Sequence, residues 1–70
     1  MNDDQLTGRW EQLKGRIQAE LGKLTDNDLA EVKGQKRLLV GKIQERYGDA
    51  KSAALQRLES LLETLNESLA

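Results

Sequence analysis

Apolar residues recur every three or four positions along most of the 70-residue chain, and this period restricts the chain to amphipathic helices. The first such stripe consists of Leu6, Trp10, Leu13, Ile17, Leu21 and Leu24. Proline is absent, and thirteen leucines against two valines and two isoleucines favour helix over sheet. The sequence therefore predicts an all-α protein.

The segment 39–48, LVGKIQERYG, is the centre of this organisation, and it has a weaker copy at 13–22, LKGRIQAELG. A shift of 26 residues aligns a leucine, a glycine, an isoleucine, a glutamine and a closing glycine. Two copies are too few for a solenoid, so they predict two similar helical hairpins, unless the likeness is due to chance. The predicted core comprises Trp10, Leu13, Ile17, Leu39, Ile43 and Tyr47. For Trp10, its register with the stripe favours the core over ligand stacking.

Six glycines fall in two sets spaced by seven residues, and their positions predict ends and contacts of helices. Gly22 and Gly48 each follow a last apolar residue, where a helix commonly ends. Gly15 and Gly41 lie inside helices, where glycine costs about 1 kcal/mol relative to alanine. We expect close packing against another backbone or a large ring to compensate, with a helix break as the alternative. Gly34 marks a break or a tight contact.

Polar residues mark the predicted helix starts. Asn2 or Asp3 is expected to cap the first helix, and Asp49 the last. Thr25, followed three residues later by Asp28, is a variant of the capping box.

The last helix carries a heptad-like seam of leucines at positions Leu55, Leu58, Leu62, Leu65 and Leu69. At about two heptads, the seam is short of the length that would predict a coiled coil. It is interpreted either as the fourth wall of the intramolecular core or as the interface of a homodimer. Glu59, Glu63 and Glu67 form a like-charged row that we expect to be solvated or to face a basic partner.

Positive charge concentrates in residues 36–51, which carry five cations and two anions, although the whole chain has a net charge of −1. Lys36, Arg37, Lys42 and Arg46 are the candidate contacts for phosphate or for an acidic partner. The alternative is a solvated face neutralised by neighbouring acids.

Several functional classes lack their usual residues. Without cysteine or histidine, the usual zinc ligands and the common nucleophile–base pairs are missing, and no glycine-rich phosphate loop is present. We therefore predict no enzymatic activity, no metal and no cofactor. No apolar run approaches the 18 or more residues of a membrane span, and the N-terminus lacks a hydrophobic signal core, so a cytoplasmic location is expected.

A family resemblance rests on two segments, LTDNDL at 24–29 and LLVGKIQERYG at 38–48, with Gly34 between them. The upstream residues that contribute to it are Trp10, Leu13, Lys14 and Gly15. Over about residues 2–50 the chain closely resembles the CsbD-like family of small bacterial stress-response proteins. The resemblance implies two packed helical hairpins of the SAM-domain-like kind and a bacterial cytosolic protein associated with general stress. It implies no catalytic residue or cofactor. Residues 51–70 depart from it, because the family is more polar there.

Together these observations predict a single all-α domain over residues 1–70, a bundle of about four helices with a leucine-rich C-terminal helix. The predicted function is that of a small non-enzymatic stress-response protein acting by self-association, as a homodimer through the last helix, or by docking an unidentified partner protein. The alternative is a weak nucleic-acid binder that uses the basic central segment. The six glycines and the mean hydropathy of −0.70 also leave open a chain that is only partly folded alone.

Overall fold

The computed structural model describes the backbone of residues 3–69 and the side chains of residues 4–67. Over this part the chain forms five helices and no strand: α1 (Asp3–Gly8), α2 (Trp10–Glu20), α3 (Asp26–Val32), α4 (Lys36–Tyr47) and α5 (Lys51–Leu69). The prediction of a small all-helical bundle is confirmed. The predicted caps at Asn2 and Asp3 lie outside the described side chains.

The core lies where α5 crosses both α4 and α2, with α3 packed against α2 and α4. Of the six predicted core residues, five are buried: Trp10, Leu13, Ile17, Leu39 and Ile43. Tyr47 packs against the cluster from its edge and is only half-buried. The apolar stripes of α2 and α4 therefore face the same core.

The first apolar stripe is divided between two helices rather than one, which raises the number of helices to five. Arg9 leaves the helical region at φ −109° and ψ 14°, and α2 begins at the next residue. Leu6 and Trp10 are both buried across this break. The Thr7 hydroxyl donates to the Gly34 carbonyl oxygen over 2.9 Å, which fixes α1 against the turn before α4.

Gly34 is the glycine that makes a close backbone contact. Its φ is +81°, and a Cβ added to it would lie 2.8 Å from the Thr7 Cα and 3.2 Å from the Trp10 Cβ. By contrast, a Cβ at Gly15 or Gly41 would meet nothing within 4 Å. The expectation of close packing at Gly15 and Gly41 is therefore wrong: both are exposed positions inside continuous helices.

Helix ends follow the sequence signals in two places. Gly48 ends α4 with φ +70°, as predicted. The capping box of α3 is confirmed, since the Thr25 hydroxyl accepts from the Asp28 N–H and the Asp28 carboxylate accepts from the Thr25 N–H. Elsewhere the ends shift: α2 already stops at Glu20, with Leu21 as its C-cap rather than Gly22.

Asp49 does not cap α5 as predicted. Its carboxylate instead accepts from the Arg57 guanidinium, over 2.9 Å from Nε and 3.5 Å from Nη2. The helix begins at Lys51, two residues later, and the Ala54 N–H donates to the Ala50 carbonyl. The Asp49 carboxylate, which the sequence pattern predicts to cap the backbone of α5, is thus bound by Arg57, two turns into that helix.

The leucine seam of α5 faces inward. Leu58, Leu62 and Leu65 are at most 2% exposed in the core, whereas Leu55 is partly buried at its margin. The fifth seam residue, Leu69, lies outside the described side chains. Of the two interpretations of the seam, the structure has the intramolecular wall, so a dimer that used these three leucines would have to open the core.

Candidate functional site

Three of the four predicted basic contacts face carboxylates of the chain itself. Lys36 Nζ lies 3.0 Å from Glu59 Oε1, so α4 and α5 are joined by an ion pair. Lys42 Nζ pairs with Glu31 and lies 3.6 Å from the nearer Asp28 oxygen and 4.0 Å from Glu45. The Glu31 contact raises the pKa of Lys42 above its ordinary value.

Arg46, the third, holds Asp28 in a bidentate pair, with Nε and Nη2 each 2.9 Å from a carboxylate oxygen. Asp28 is 2% exposed and also accepts from the Thr25 N–H over 3.0 Å. The hydrogen bonds from Arg46 and then from Thr25 lower the pKa of Asp28 against the opposing effect of burial. Asp28 therefore fastens α3 to α4. Sequence reasoning missed this pair, because eighteen residues separate its members and no local pattern joins them.

The fourth predicted contact, Arg37, has a different environment. It is exposed and forms no ion pair with any described residue, and the same holds for Lys51. Both lie on one open groove of about 400 Å³ between α4 and α5. We call this the basic groove; its lining is Lys36, Arg37, Val40, Gln44, Lys51 and Leu55. It combines two cations that form no ion pair with a described residue, Arg37 and Lys51, with the apolar side chains of Val40 and Leu55.

A second open groove, of about 290 Å³, adjoins the first at Lys36. Its lining is Lys36, Glu59, Leu62, Glu63 and Asn66, and we call it the acidic groove. Lys36 lines both grooves, so the Lys36–Glu59 ion pair stands at the border between them. Glu63 is exposed and forms no ion pair with a described residue. One face of the α4–α5 hairpin thus carries positive charge on one side of this border and negative charge on the other.

Tyr47 ties the two inter-helix turns together on another side of the bundle. Its hydroxyl accepts from the Lys23 backbone N–H over 3.3 Å, and the Arg57 guanidinium carbon lies 4.4 Å from its ring centroid. Lys23 Nζ lies 5.2 Å from the same centroid, a second cation–π contact. Because Arg57 also binds Asp49, the α2–α3 turn, the α4–α5 turn and α5 meet at this ring, which accounts for its position at the core margin.

The described part of the chain contains no group of three or more acidic, cysteine or histidine residues that could hold a metal ion. No helix in it is long and apolar enough to cross a membrane. The paired carboxylates at Asp28 and Asp49 are engaged by arginines and do not line the grooves.

Comparison with known proteins decides the family. The profile of the CsbD-like family matches residues 4–55, which is most of the chain. The chain belongs to the CsbD-like family. The UPF0337 protein YjbJ of Escherichia coli (strain K12) is 46% identical over 67 residues, covering 96% of this CsbD-like chain and 96% of YjbJ. The UPF0337 protein ECA0631 of Pectobacterium atrosepticum is 54% identical over 54 residues, covering 77% and 78%. No solved structure matches significantly.

The resemblance to the CsbD-like family expected from the sequence is confirmed. The match to the CsbD-like profile includes every residue that lines the basic groove, since it ends at Leu55. Glu59 and Glu63, the charged residues of the acidic groove on α5, lie beyond it. Apart from Lys36, the acidic groove of this CsbD-like chain is therefore lined by residues beyond the match to the family profile.

Proposed function

We propose that this CsbD-like chain is a non-enzymatic binding module of the stress response, which acts stoichiometrically by docking a protein on the basic groove. The observation that carries the proposal is the pairing of two uncompensated cations, Arg37 and Lys51, with an apolar floor of Val40 and Leu55. The other cations of the predicted basic set are occupied by the chain's own acids.

The arrangement of the remaining polar groups supports binding over catalysis. A catalytic site would need a nucleophile beside a base, or carboxylates in a cleft that shifts their pKa values apart. Asp28 is the buried carboxylate of the described chain, and it is saturated by Arg46 and Thr25, with its pKa lowered rather than raised. Asp28 therefore stabilises the fold, and the charges available for binding are the exposed ones.

A photo-crosslinking amino acid placed at position 37 in bacterial cells tests the proposal. We expect a discrete covalent adduct from position 37, because this side chain is exposed at the groove. Position 16 is the matched control, since Arg16 is also exposed and unpaired in the described chain but lies on α2, away from the groove. No adduct from position 37, or equal adducts from positions 37 and 16, would contradict the proposed docking surface.

Nucleic-acid binding is the alternative function. The observation that supports it is that Arg37 and Lys51 form no ion pair in the described chain and can contact phosphate. With only these two phosphate contacts, the slope of log affinity against log salt would be about −1.8, half of that expected if all four predicted cations bound phosphate. Titration of a fluorescent double-stranded DNA at several salt concentrations measures this slope. No binding at low salt excludes the alternative.

A further inference from the structure

We propose that the occupant of the basic groove is a second copy of this chain, related to the first by a two-fold axis through the Lys36–Glu59 ion pair. The inference rests on the proposed function, because it names the partner of the groove assigned there. What carries it is that a basic groove and an acidic groove adjoin at this pair, since Lys36 lines both.

The spacing on α5 suits such an axis. Leu55, on the basic groove, precedes Glu59 by four residues, and Glu63, on the acidic groove, follows it by four. At 1.5 Å per residue, both levels lie about 6 Å from Glu59 along the helix. A rotation by 180° about an axis at Glu59 therefore brings the level of Leu55 in each copy opposite the level of Glu63 in the other. This is the self-complementary contact of an isologous dimer.

The charges match under the same rotation. Arg37 and Lys51 rim the basic groove without an ion pair in the described chain, and Glu63 on the acidic groove likewise has none. In the dimer, the acidic groove of each copy faces the basic groove of the other. The unpaired charges of each groove are then opposite charges of the other sign, at two contacts related by the two-fold axis. Val40 and Leu55, the apolar floor, become covered at the same time.

The other large open groove, beside Trp10, does not combine unpaired cations with an unpaired acid. Arg9 and Lys33 line a space of about 580 Å³ beside Trp10 and, like Arg37, form no ion pair in the described chain. The acid that lines it, Glu11, already pairs with Lys14 over 2.8 Å. Without an unpaired acidic half, two copies of this groove would bring cations together. The α4–α5 face is thus the surface that a second copy fits.

Two charge-reversal variants, Arg37→Glu and Glu63→Lys, test the dimer by sedimentation equilibrium at low salt. Each variant alone places like charges opposite each other at both contacts of its own dimer, so we expect its self-association to weaken roughly tenfold or more relative to the native chain. Circular dichroism checks that both variants keep their helices.

An equal mixture of the two variants should associate again. In the mixed dimer, one basic groove carries the glutamate introduced at position 37 and faces the acidic groove that carries the lysine introduced at position 63. The other basic groove, with the native Arg37, faces the acidic groove with the native Glu63. Both contacts then join opposite charges, as they do in the native dimer.

Arg16→Glu and Glu20→Lys are the matched controls, since they make the same changes of net charge at exposed positions of α2, outside both grooves. They should associate as the native chain does. A native chain that stays monomeric up to millimolar concentration at low salt overturns the dimer, as does a mixture that associates no better than its components. If position 37 still crosslinks to a different protein, the proposed function stands and only the identity of the partner falls.

Discussion

Replacing the exposed glycines of α2 and α4 by alanine should stabilise the protein, and this prediction reverses the one that the sequence alone supports. A Cβ at Gly15 or Gly41 would meet no atom within 4 Å, and both residues are inside helices with φ outside the left-handed region. The substitution then costs no packing and limits the freedom of the unfolded chain. From helix propensities we expect about 1 kcal/mol for each site.

The two substitutions lie on different helices and have no shared partner, so their effects should add to about 2 kcal/mol. For a chain of this size, 1 kcal/mol raises Tm by about 4–8 °C, so Gly15→Ala with Gly41→Ala should raise it by roughly 8–16 °C. Thermal unfolding followed by circular dichroism measures the shift, and urea titration measures the free energy of unfolding independently.

Gly34→Ala is the matched control, because it places the same methyl group at a position that has no room for it. The added Cβ would lie 2.8 Å from the Thr7 Cα, and φ is +81°. We expect destabilisation by about 2 kcal/mol or more. Destabilisation by Gly15→Ala or Gly41→Ala would refute the reasoning, since it would require a close contact at positions where the structure has open space.

Three further substitutions test the packing and the ion pairs. Leu58→Ala should lower the free energy of unfolding by about 3 kcal/mol at every protein concentration, as urea titration can show; a loss confined to high concentration would instead place this residue in an intermolecular seam. Asp28→Asn should cost about 2–3 kcal/mol at neutral pH, since it breaks the bidentate pair with Arg46 and weakens the α3 cap. Because folding lowers the pKa of Asp28 below its ordinary 3.8, the stabilisation from Asp28 is present above that pH and is lost as the pH falls below it. Urea titrations between about pH 2 and 7 should therefore show a smaller decrease in the free energy of unfolding on acidification for Asp28→Asn than for the native chain. Equal decreases would contradict the ion pair. Tyr47→Phe should cost less than about 1 kcal/mol in thermal unfolding, because it removes a single exposed hydrogen bond and keeps the ring under Arg57; a larger loss would mean that the hydroxyl holds the turns together.

Local patterns in the sequence are sufficient for the helices and for most of the core. The period of the apolar residues places Leu13 and Leu39, the matching leucines of the two repeats, inside the bundle, and both are fully buried. The Thr25 capping box and the left-handed Gly48 follow from rules that span a few residues. Such rules work because each helix must bury one face, whatever its neighbours are.

Features that depend on tertiary approach cannot be predicted in this way. Gly15, Gly34 and Gly41 look alike in sequence, and only the packing of α1 against the turn before α4 distinguishes the crowded Gly34 from the other two. The ion pair of Asp28 with Arg46 joins two helices. The Asp28 carboxylate also caps α3, and this local role, which the sequence does show, gives no indication of the ion pair. The basic segment of the sequence likewise does not show which cations have acids beside them.

Light scattering coupled to size-exclusion chromatography, over a wide range of protein concentration at low and at high salt, tests most directly whether this CsbD-like protein works through a charged docking face. At low salt, the mass should rise with concentration from 7.9 kDa towards twice that value, and high salt should return it to the monomer. A mass of 7.9 kDa under every condition would contradict self-association. A dimer that persists unchanged at high salt would contradict the charged face and point to an apolar interface instead.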